Sequence, residues 1–294
     1  NASLLFRARL RSFLQLLVAA FSSLTKAFHP PMRLRLSKAV IIDLDHKDVI
    51  DDGLRIWMGG ESGSGKSSTA MNIAGQLIEN GYQVIMLDPH GEFGALWELN
   101  PDNVIRIGYG KEPVSESSHQ WCLDVIESGK SLLLDLRHWA VLEPAQLDMF
   151  VLKFVKDLYR LRVEHPKRCM LVVEEAHQFA PQNQASGQAD NVRMFVNVAT
   201  AGRKFGLNVL LSSQSQSLVD VNLYKQCNMR IFLRTTEFQD WNKRIKRYLP
   251  PSLGITYEHI RRFATGEAVV LSRWSPDARV QLLQPTVGVR KALL

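Results

Sequence analysis

Cysteine is scarce in this sequence: Cys122, Cys169 and Cys227 are the only three in 294 residues, and they stand far apart without a C-x-x-C pair. Neither a disulfide framework nor a cysteine-based zinc site is expected, which suits a reducing compartment such as the cytoplasm. Long apolar runs are also missing. The densest, Leu16 to Phe21, is six residues long, against the roughly 18 that a membrane span needs. Acidic residues are absent from the first forty positions, which carry seven basic ones (Arg7, Arg9, Arg11, Lys26, Arg33, Arg35 and Lys38). Of 36 basic residues that leaves 29, matched by all 29 acidic ones. The net charge of +7 therefore belongs to the beginning of the chain, and nucleic-acid binding does not follow from overall basicity. No internal repeat of 20 to 50 residues is present.

What is there is an ordinary globular composition, 46% hydrophobic and 22% charged, long enough for one large α/β domain or two small ones. Residues 1–31 read as a basic amphipathic helical extension, with Leu5, Phe6, Leu10, Phe13, Leu14, Leu17, Phe21 and Leu24 at helical spacing. Such a helix packs on its own domain, docks on a neighbouring protein, or lies on a membrane surface. His29-Pro30-Pro31 ends it, and Met32 is a candidate start of the functional unit. Residues 32–53 read as a strand, Arg33 to Leu44, and a polar connector. A catalytic domain spans residues 54–285, and 286–294 form a tail.

From Leu54 onwards strand and helix patterns alternate, the signature of a mostly parallel sheet covered by helices on both faces. Strands are expected at Leu54 to Met58, Tyr82 to Leu87, Val104 to Ile107, Ser131 to Leu136, Cys169 to Val173, Asn208 to Ser212 and Met229 to Leu233. Amphipathic helices are expected at Ser67 to Asn80, Pro144 to Arg162 and Asn191 to Lys204, with a basic helix from Glu237 to Tyr248. Gln182 to Gln188 is polar and reads as a mobile loop. Glu267 to Ser272 and Ala278 to Leu283 read as a C-terminal β-hairpin.

The motif that organises this pattern is Gly60-Glu61-Ser62-Gly63-Ser64-Gly65-Lys66-Ser67, a match to G-x-x-x-x-G-K-[ST] placed between a strand and a helix. Its glycines let the backbone curl into a nest of N–H groups, and the next helix, through Ser67 and Ser68, aims its unpaired N–H groups at the same anion. Lys66 then reaches the β and γ phosphates of ATP, and the Ser67 hydroxyl takes a place on Mg²⁺. Hydrolysis also needs a metal holder and a group that polarises water. Four apolar residues, Met170 to Val173, run into Glu174-Glu175 at the carboxyl end of a strand, where parallel sheets place their ligands. Glu174 is assigned to Mg²⁺ and Glu175 to the attacking water. Gln214, at a strand tip, is placed to sense the γ-phosphate or is a polar cap. Arg203 either complements a helix C-terminus or reaches a nucleotide bound by the next subunit. Asp88 and His90 end another strand at the same expected edge and line the pocket. Lys225, Lys243, Arg244, Lys246 and Arg247 form the richest basic region outside the N-terminus, a duplex-phosphate contact or a solvated helix face.

Taken together, Gly60 to Ser67, Asp88-Pro89-His90-Gly91-Glu92-Phe93, Glu174-Glu175-Ala176-His177 and Gly202-Arg203-Lys204-Phe205-Gly206 with Ser213-Gln214 resemble the HerA branch of the HerA/FtsK superfamily. The likeness covers about Leu54 to Arg273 and extends to Gln226-Cys227-Asn228 and Ile231-Phe232-Leu233-Arg234. It implies a RecA-like P-loop NTPase fold and a ring, typically a hexamer, that moves double-stranded DNA by ATP hydrolysis, sometimes with a nuclease or other effector. It also implies Glu174 as the Walker B acid, Glu175 as the catalytic glutamate, Gln214 as the sensor, and an inter-subunit arginine, Arg203 first, with Arg234 and Arg193 as alternates. The sequence departs from the pattern at three points. Glu174 stands where Asp is common, Ser215-Gln216 follows the sensor glutamine in place of Arg-Pro, and residues 32–52 leave little room for the family's preceding β-barrel. Conjugation, secretion or genome-packaging ATPases, and a slowly hydrolysing nucleotide-gated scaffold, are the competing readings.

Overall fold

The computed structural model describes residues 31–108, 114, 118–184 and 188–283. The described residues from Arg33 onwards form one compact unit; the amphipathic stripe expected before His29 and the tail after Thr286 lie outside the described residues. In chain order the strands are β1 (Arg33–Arg35), β2 (Ile41–Asp43), β3 (Arg55–Gly59), β4 (Gln83–Asp88), β5 (Val104–Ile107), β6 (Ser131–Asp135), β7 (Cys169–Val173), β8 (Leu207–Ser213), β9 (Met229–Phe232), β10 (Glu267–Ser272) and β11 (Ala278–Gln281). The helices are α1 (Lys47–Asp52), α2 (Lys66–Glu79), α3 (Gly94–Leu99), α4 (Ser118–Glu127), α5 (Arg137–Leu142), α6 (Pro144–Glu164), α7 (Ala176–Phe179), α8 (Gln188–Ala201), α9 (Val221–Gln226), α10 (Phe238–Lys243) and α11 (Tyr257–Ile260).

Nine strands make one sheet in the order β11-β10-β9-β3-β8-β7-β4-β6-β5. From β5 to β9 every neighbouring pair is parallel. β10 and β11 add the expected antiparallel hairpin at the β9 edge. The inner strands β4, β6, β7 and β8 are buried at every position, as continuous apolar runs require when helices cover both faces. On one face Ile85, Leu87, Leu132, Leu134, Leu171 and Val209 join Phe154 of α6 and Phe195 of α8 in the main core. On the other, α2 packs over β4, β7 and β8 with Ala70, Ile73, Ala74 and Leu77 turned inward.

Three expectations are corrected. Arg33 to Leu44 is a two-stranded hairpin and not one strand, because the Ser37 hydroxyl accepts from the N–H groups of Ala39 and Val40 and folds the chain into a turn. The polar connector after it contains α1, whose N-terminus is capped by the His46 ring accepting from Asp48 N–H. The basic segment 237–248 is α10 followed by a short 3₁₀ turn, broken at Arg244, whose backbone leaves helical geometry (φ −121°, ψ −67°).

The amino end of β3 is held from both sides by buried amides. The Asn208 side chain accepts from Leu54 N–H at 2.6 Å and donates to the carbonyls of Cys169 and Gly206. The Asn228 side chain accepts from Arg55 N–H at 3.0 Å and donates to the Gly53 carbonyl at 2.8 Å. These amides fix the register of the strand that carries the glycine-rich loop. Removing one leaves several buried backbone groups without partners, so Asn208→Ala is expected to lower unfolding free energy by about 2–3 kcal/mol. Urea denaturation checks this; an unchanged midpoint would mean the amide is not what holds the register.

Candidate nucleotide-binding site

The carboxyl ends of four adjacent strands, β3, β8, β7 and β4, deliver four motifs to one edge of the sheet. β3 runs into Gly60 to Ser67, β8 into Gln214, β7 into Glu174-Glu175 and β4 into the Asp88 to Phe93 turn. The glycine-rich loop is anchored on its flanks: Glu61 N–H donates to the Arg234 carbonyl at 2.9 Å, Gly60 N–H to the Ser213 carbonyl at 3.4 Å, and Gly266 N–H to the Ser64 carbonyl at 2.9 Å. Gly63 (φ 71°) and Gly65 (φ 102°) adopt left-handed backbone, which turns successive N–H groups inward. A Cβ at Gly60 would meet Ser64 Oγ at 2.7 Å and Leu233 Cβ at 2.8 Å, so the loop admits only glycine there.

Lys66 opens α2 and is buried at 5% exposure. Its ammonium donates to the Glu61 carbonyl at 3.4 Å, curled over its own loop. Ser67 is half-buried, and its hydroxyl donates to the Glu92 carboxylate. Ser68 is half-buried behind it and Ser62 is exposed. Ser64 is fully buried, and its hydroxyl has no partner among the described residues.

The two adjacent glutamates differ sharply. Glu174 is 1% exposed and its Oε2 has no partner among the described residues. Burial first, then the neighbouring Glu175, pushes its pKa up to about 8. Glu175 is 2% exposed. Burial pushes its carboxyl upward, yet bonds from His177 and from Gln214 N–H outweigh burial and hold it below the usual carboxylate range. Those contacts are His177 Nδ1 at 3.1 Å and Gln214 N–H at 3.1 Å, both to Glu175 Oε2. Glu175 is also the one non-glycine residue with positive φ among the described residues (φ 49°, ψ 53°). That backbone takes Glu175 out of strand geometry.

These side chains fit a magnesium nucleotide. Mg²⁺ keeps several waters and takes one or two protein oxygens beside phosphate oxygens, so the Ser67 hydroxyl and the unpartnered Glu174 oxygen suffice. The loop N–H groups and Lys66 match a phosphate chain.

Other expected site residues fall differently. Asp88 is corrected from a pocket-lining group to the organiser of the turn that follows it. Its carboxylate accepts from the N–H groups of His90, Gly91, Glu92 and Phe93 at 2.7–3.3 Å, and that fold presents Glu92 to Ser67. His90 is exposed, its Nε2 3.2 Å from the Gln178 amide. Gln214 meets Glu175 through its backbone while its side chain is exposed. Arg203 lies at the amino edge of β8, paired with Asp52 at 3.1 Å, on the side of the sheet away from Lys66. Arg193 is exposed on α8 and pairs with Asp190 at 3.4 Å. Arg234 lies against its own chain's loop, its Nε 2.5 Å from Glu61 Oε1 and its Nη2 3.3 Å from the Gly63 carbonyl. Arg244 is corrected from a duplex contact or a solvated helix face to a buried strut: it donates to the carbonyls of Val219 at 2.6 Å and Gln216 at 3.2 Å and to the Gln182 side chain at 3.0 Å. Gln182 is accordingly pinned, its N–H bonded to the Leu218 carbonyl, and Gln188 opens α8, so neither belongs to a mobile loop; residues 185–187 lie outside the described residues.

Sequence reasoning passed over Glu92, His177 and Gln216. The first two sit inside quoted motifs with nothing to mark what they touch. Gln216 is fully buried and accepts from Trp57 Nε1 at 3.0 Å. Its side chain fills the space a Cβ at Gly59 would enter, at 2.2 Å.

Fold and site together define a P-loop NTPase of the RecA-like class. Residues 58–150 match the family described as the central domain of helicase HerA. Over 104 residues the chain is 32% identical to the DNA double-strand break repair helicase HerA of Pyrococcus furiosus, a match covering 35% of this chain and 18% of that protein. This stretch resembles the HerA-like branch of the P-loop ATPases, and the match spans under a fifth of the curated relative's length. In fold it is similar to the bacterial conjugative coupling protein TrwBdeltaN70 (TM-score 0.64, 12% identity, covering 90% of this chain and 91% of that one). It is also similar to the genome packaging NTPase B204 of Sulfolobus turreted icosahedral virus 2 in complex with sulfate (TM-score 0.55, 16% identity, 79% and 98%). Among the described residues no helix is long and apolar enough to cross a membrane.

The raised pKa of Glu174 has a consequence for stability. A carboxyl with a folded pKa of about 8 against an ordinary 4.5 stabilises the fold fully below the lower value, and that contribution is lost as pH rises through the higher one. Glu175, shifted the other way, changes nothing in that window. In chelator, without nucleotide, the wild type is therefore expected to lose thermal stability between pH 5 and pH 8, and Glu174→Gln to flatten that slope and melt higher at pH 8. Parallel pH profiles of the two proteins would refute the buried-acid account.

Proposed function

We propose that this chain is an ATP-hydrolysing motor that assembles as a ring, six subunits by its resemblance, and moves along double-stranded DNA. The observation that carries the reading is the convergence of Lys66, Ser67, Glu174 and Glu175 at the carboxyl edge of four neighbouring parallel strands. The HerA match of residues 58–150 supports duplex DNA as the substrate, and the fold's likeness to packaging and conjugation ATPases is compatible with it.

In this reading the loop N–H groups and Lys66 grip the phosphate chain, and Ser67 and Glu174 would hold Mg²⁺, for which Glu174 would have to be ionised. Mg²⁺ held there would supply positive charge against the phosphate chain. Glu175 orients and polarises the attacking water from its ionised form; His177 and Gln214 N–H fix the direction of its carboxylate. The Gln214 side chain senses the γ-phosphate. Arg203, remote from its own chain's loop, acts on the nucleotide of the neighbouring subunit, so that loss of the γ-phosphate loosens the interface between them. A nuclease or other effector is a fitting partner in the cytoplasm, and membrane contact through residues 1–28 is the less favoured arrangement.

The test is an ATPase assay with and without linear duplex DNA, on particles whose symmetry has been imaged. Duplex is expected to stimulate turnover. Glu175→Gln is expected to keep nucleotide binding and lower kcat by about 10²–10³-fold, and Lys66→Ala to abolish turnover. Mixed rings of Arg203→Ala and Glu175→Gln subunits are expected to regain activity. Turnover by lone chains indifferent to duplex would remove the motor reading and favour the scaffold.

A further inference from the structure

The amino edge of the sheet, away from the nucleotide site, carries a polar cleft of about 430 Å³. Four of its lining side chains are cationic, Arg55, Lys225, Arg230 and Arg273, against one carboxylate, Asp277. That carboxylate is already engaged, accepting from Ser272 N–H at 3.2 Å across the β10–β11 turn.

The cations are held in place by the fold. The Arg230 guanidinium, on β9, stands over the Tyr248 ring, 4.0 Å from its centroid, with Tyr224 at 5.4 Å, and its Nη2 donates to the Tyr224 carbonyl at 3.4 Å, contacts that hold the cation in place. Arg55 begins β3, its backbone clamped by Asn228. The Nε groups of both arginines are buried without a partner among the described residues. Arg273 shares Asp52 with Arg203, each at 3.1 Å, so a single carboxylate serves two guanidinium groups. Burial, then the nearby Arg203, lowers the pKa of Arg55, as expected where positive charge is in local excess. Gathering like charges around one cleft is unfavourable unless an anion offsets them.

We infer that this cleft is a second phosphate-binding site, separate from the glycine-rich loop, which takes the oxygens of a nucleic-acid backbone or of a free polyphosphate chain. Fixed, planar guanidinium groups suit paired phosphate oxygens. It stands independently of the role assigned to Lys66.

Lys225 and Arg273 are exposed, so Lys225→Glu/Arg273→Glu reverses the charge without opening the core. The full chain, saturated with ATPγS to occupy the glycine-rich loop, is titrated with a labelled linear duplex and with inorganic tripolyphosphate. The double variant is expected to bind more weakly by about tenfold or more, with a salt dependence shallower by about two phosphate contacts. A loss for duplex alone identifies a strand backbone as the ligand; a loss for both probes identifies a free phosphate site. Equal affinities of wild type and variant for both probes, or no binding of either by the wild type, overturn the inference. Arg273→Ala, expected to lose about threefold, gives the same reading if the double reversal lowers the melting temperature. Failure of ATPγS to bind would count against the nucleotide site and leave the comparison of the cleft intact.

Discussion

An ammonium group and two carboxylates, each within 5% of complete burial, share one edge of the sheet: Lys66, Glu174 and Glu175. Removing charges from water costs several kcal/mol per ion even after relaxation, so such a trio survives only if each member is neutralised or paired. The three solutions are different. Lys66 folds back on the Glu61 carbonyl. Glu175 keeps its charge because His177 and the Gln214 N–H bind it. Glu174 has no partner for Oε2 and relieves the strain by holding a proton. Two adjacent side chains of one chemistry are thereby driven apart in proton affinity, the separation that lets one receive a cation and the other polarise water.

The backbone sustains that division. Had β7 continued as regular strand, Glu174 and Glu175 would point to opposite faces of the sheet, and only one would reach Lys66. The left-handed turn at Glu175 brings the second carboxylate round to the loop after β8. Left-handed geometry costs a non-glycine residue roughly 1–2 kcal/mol. Its persistence here depends on α7, which starts at the next residue, and on the two bonds Glu175 accepts. Beneath the glycine-rich loop the same economy of space applies. The Gln216 side chain occupies the volume a side chain at position 59 would need, and the Asp240 carboxylate receives the N–H groups of Gln216 and Ser217. The loop after β8 is thus tied to α10.

Much of this was legible before any coordinates. A glycine-rich loop between strand and helix and a four-residue apolar run ending in two acids announce themselves because backbone geometry and burial leave a local signature. Strand adjacency does not. The four motifs occur in chain order β3, β4, β7, β8 but lie in space as β3, β8, β7, β4, a permutation set by long crossovers that no local pattern encodes. Burial of individual charges was equally invisible. Arg244 reads like Lys243 and Lys246 beside it, yet it turns inward because four acceptors from the loop after β8 and from Gln182 converge on its guanidinium. Asp88 reads as a ligand for the same reason: the sequence names a carboxylate at a strand tip but not the four N–H groups that claim it.

Geometry also separates the arginines that composition left equivalent. Arg234 touches Glu61 and Gly63 of its own chain's loop, so any contact it makes with a phosphate there is made within one subunit. Arg203 is anchored at the opposite edge of the sheet, and its fold gives it no path to Lys66 of the same chain. A closed ring joins two different faces of each subunit at every interface, so a residue separated from its own site by the length of the strands is not excluded from a neighbour's. The pair it makes with Asp52 is part-exposed, at 35% and 28%, and such ion pairs contribute at most about 1 kcal/mol. Exchanging that carboxylate for a phosphate oxygen is therefore energetically inexpensive, whereas drawing Arg234 away from the loop would break contacts that hold the phosphate cradle itself.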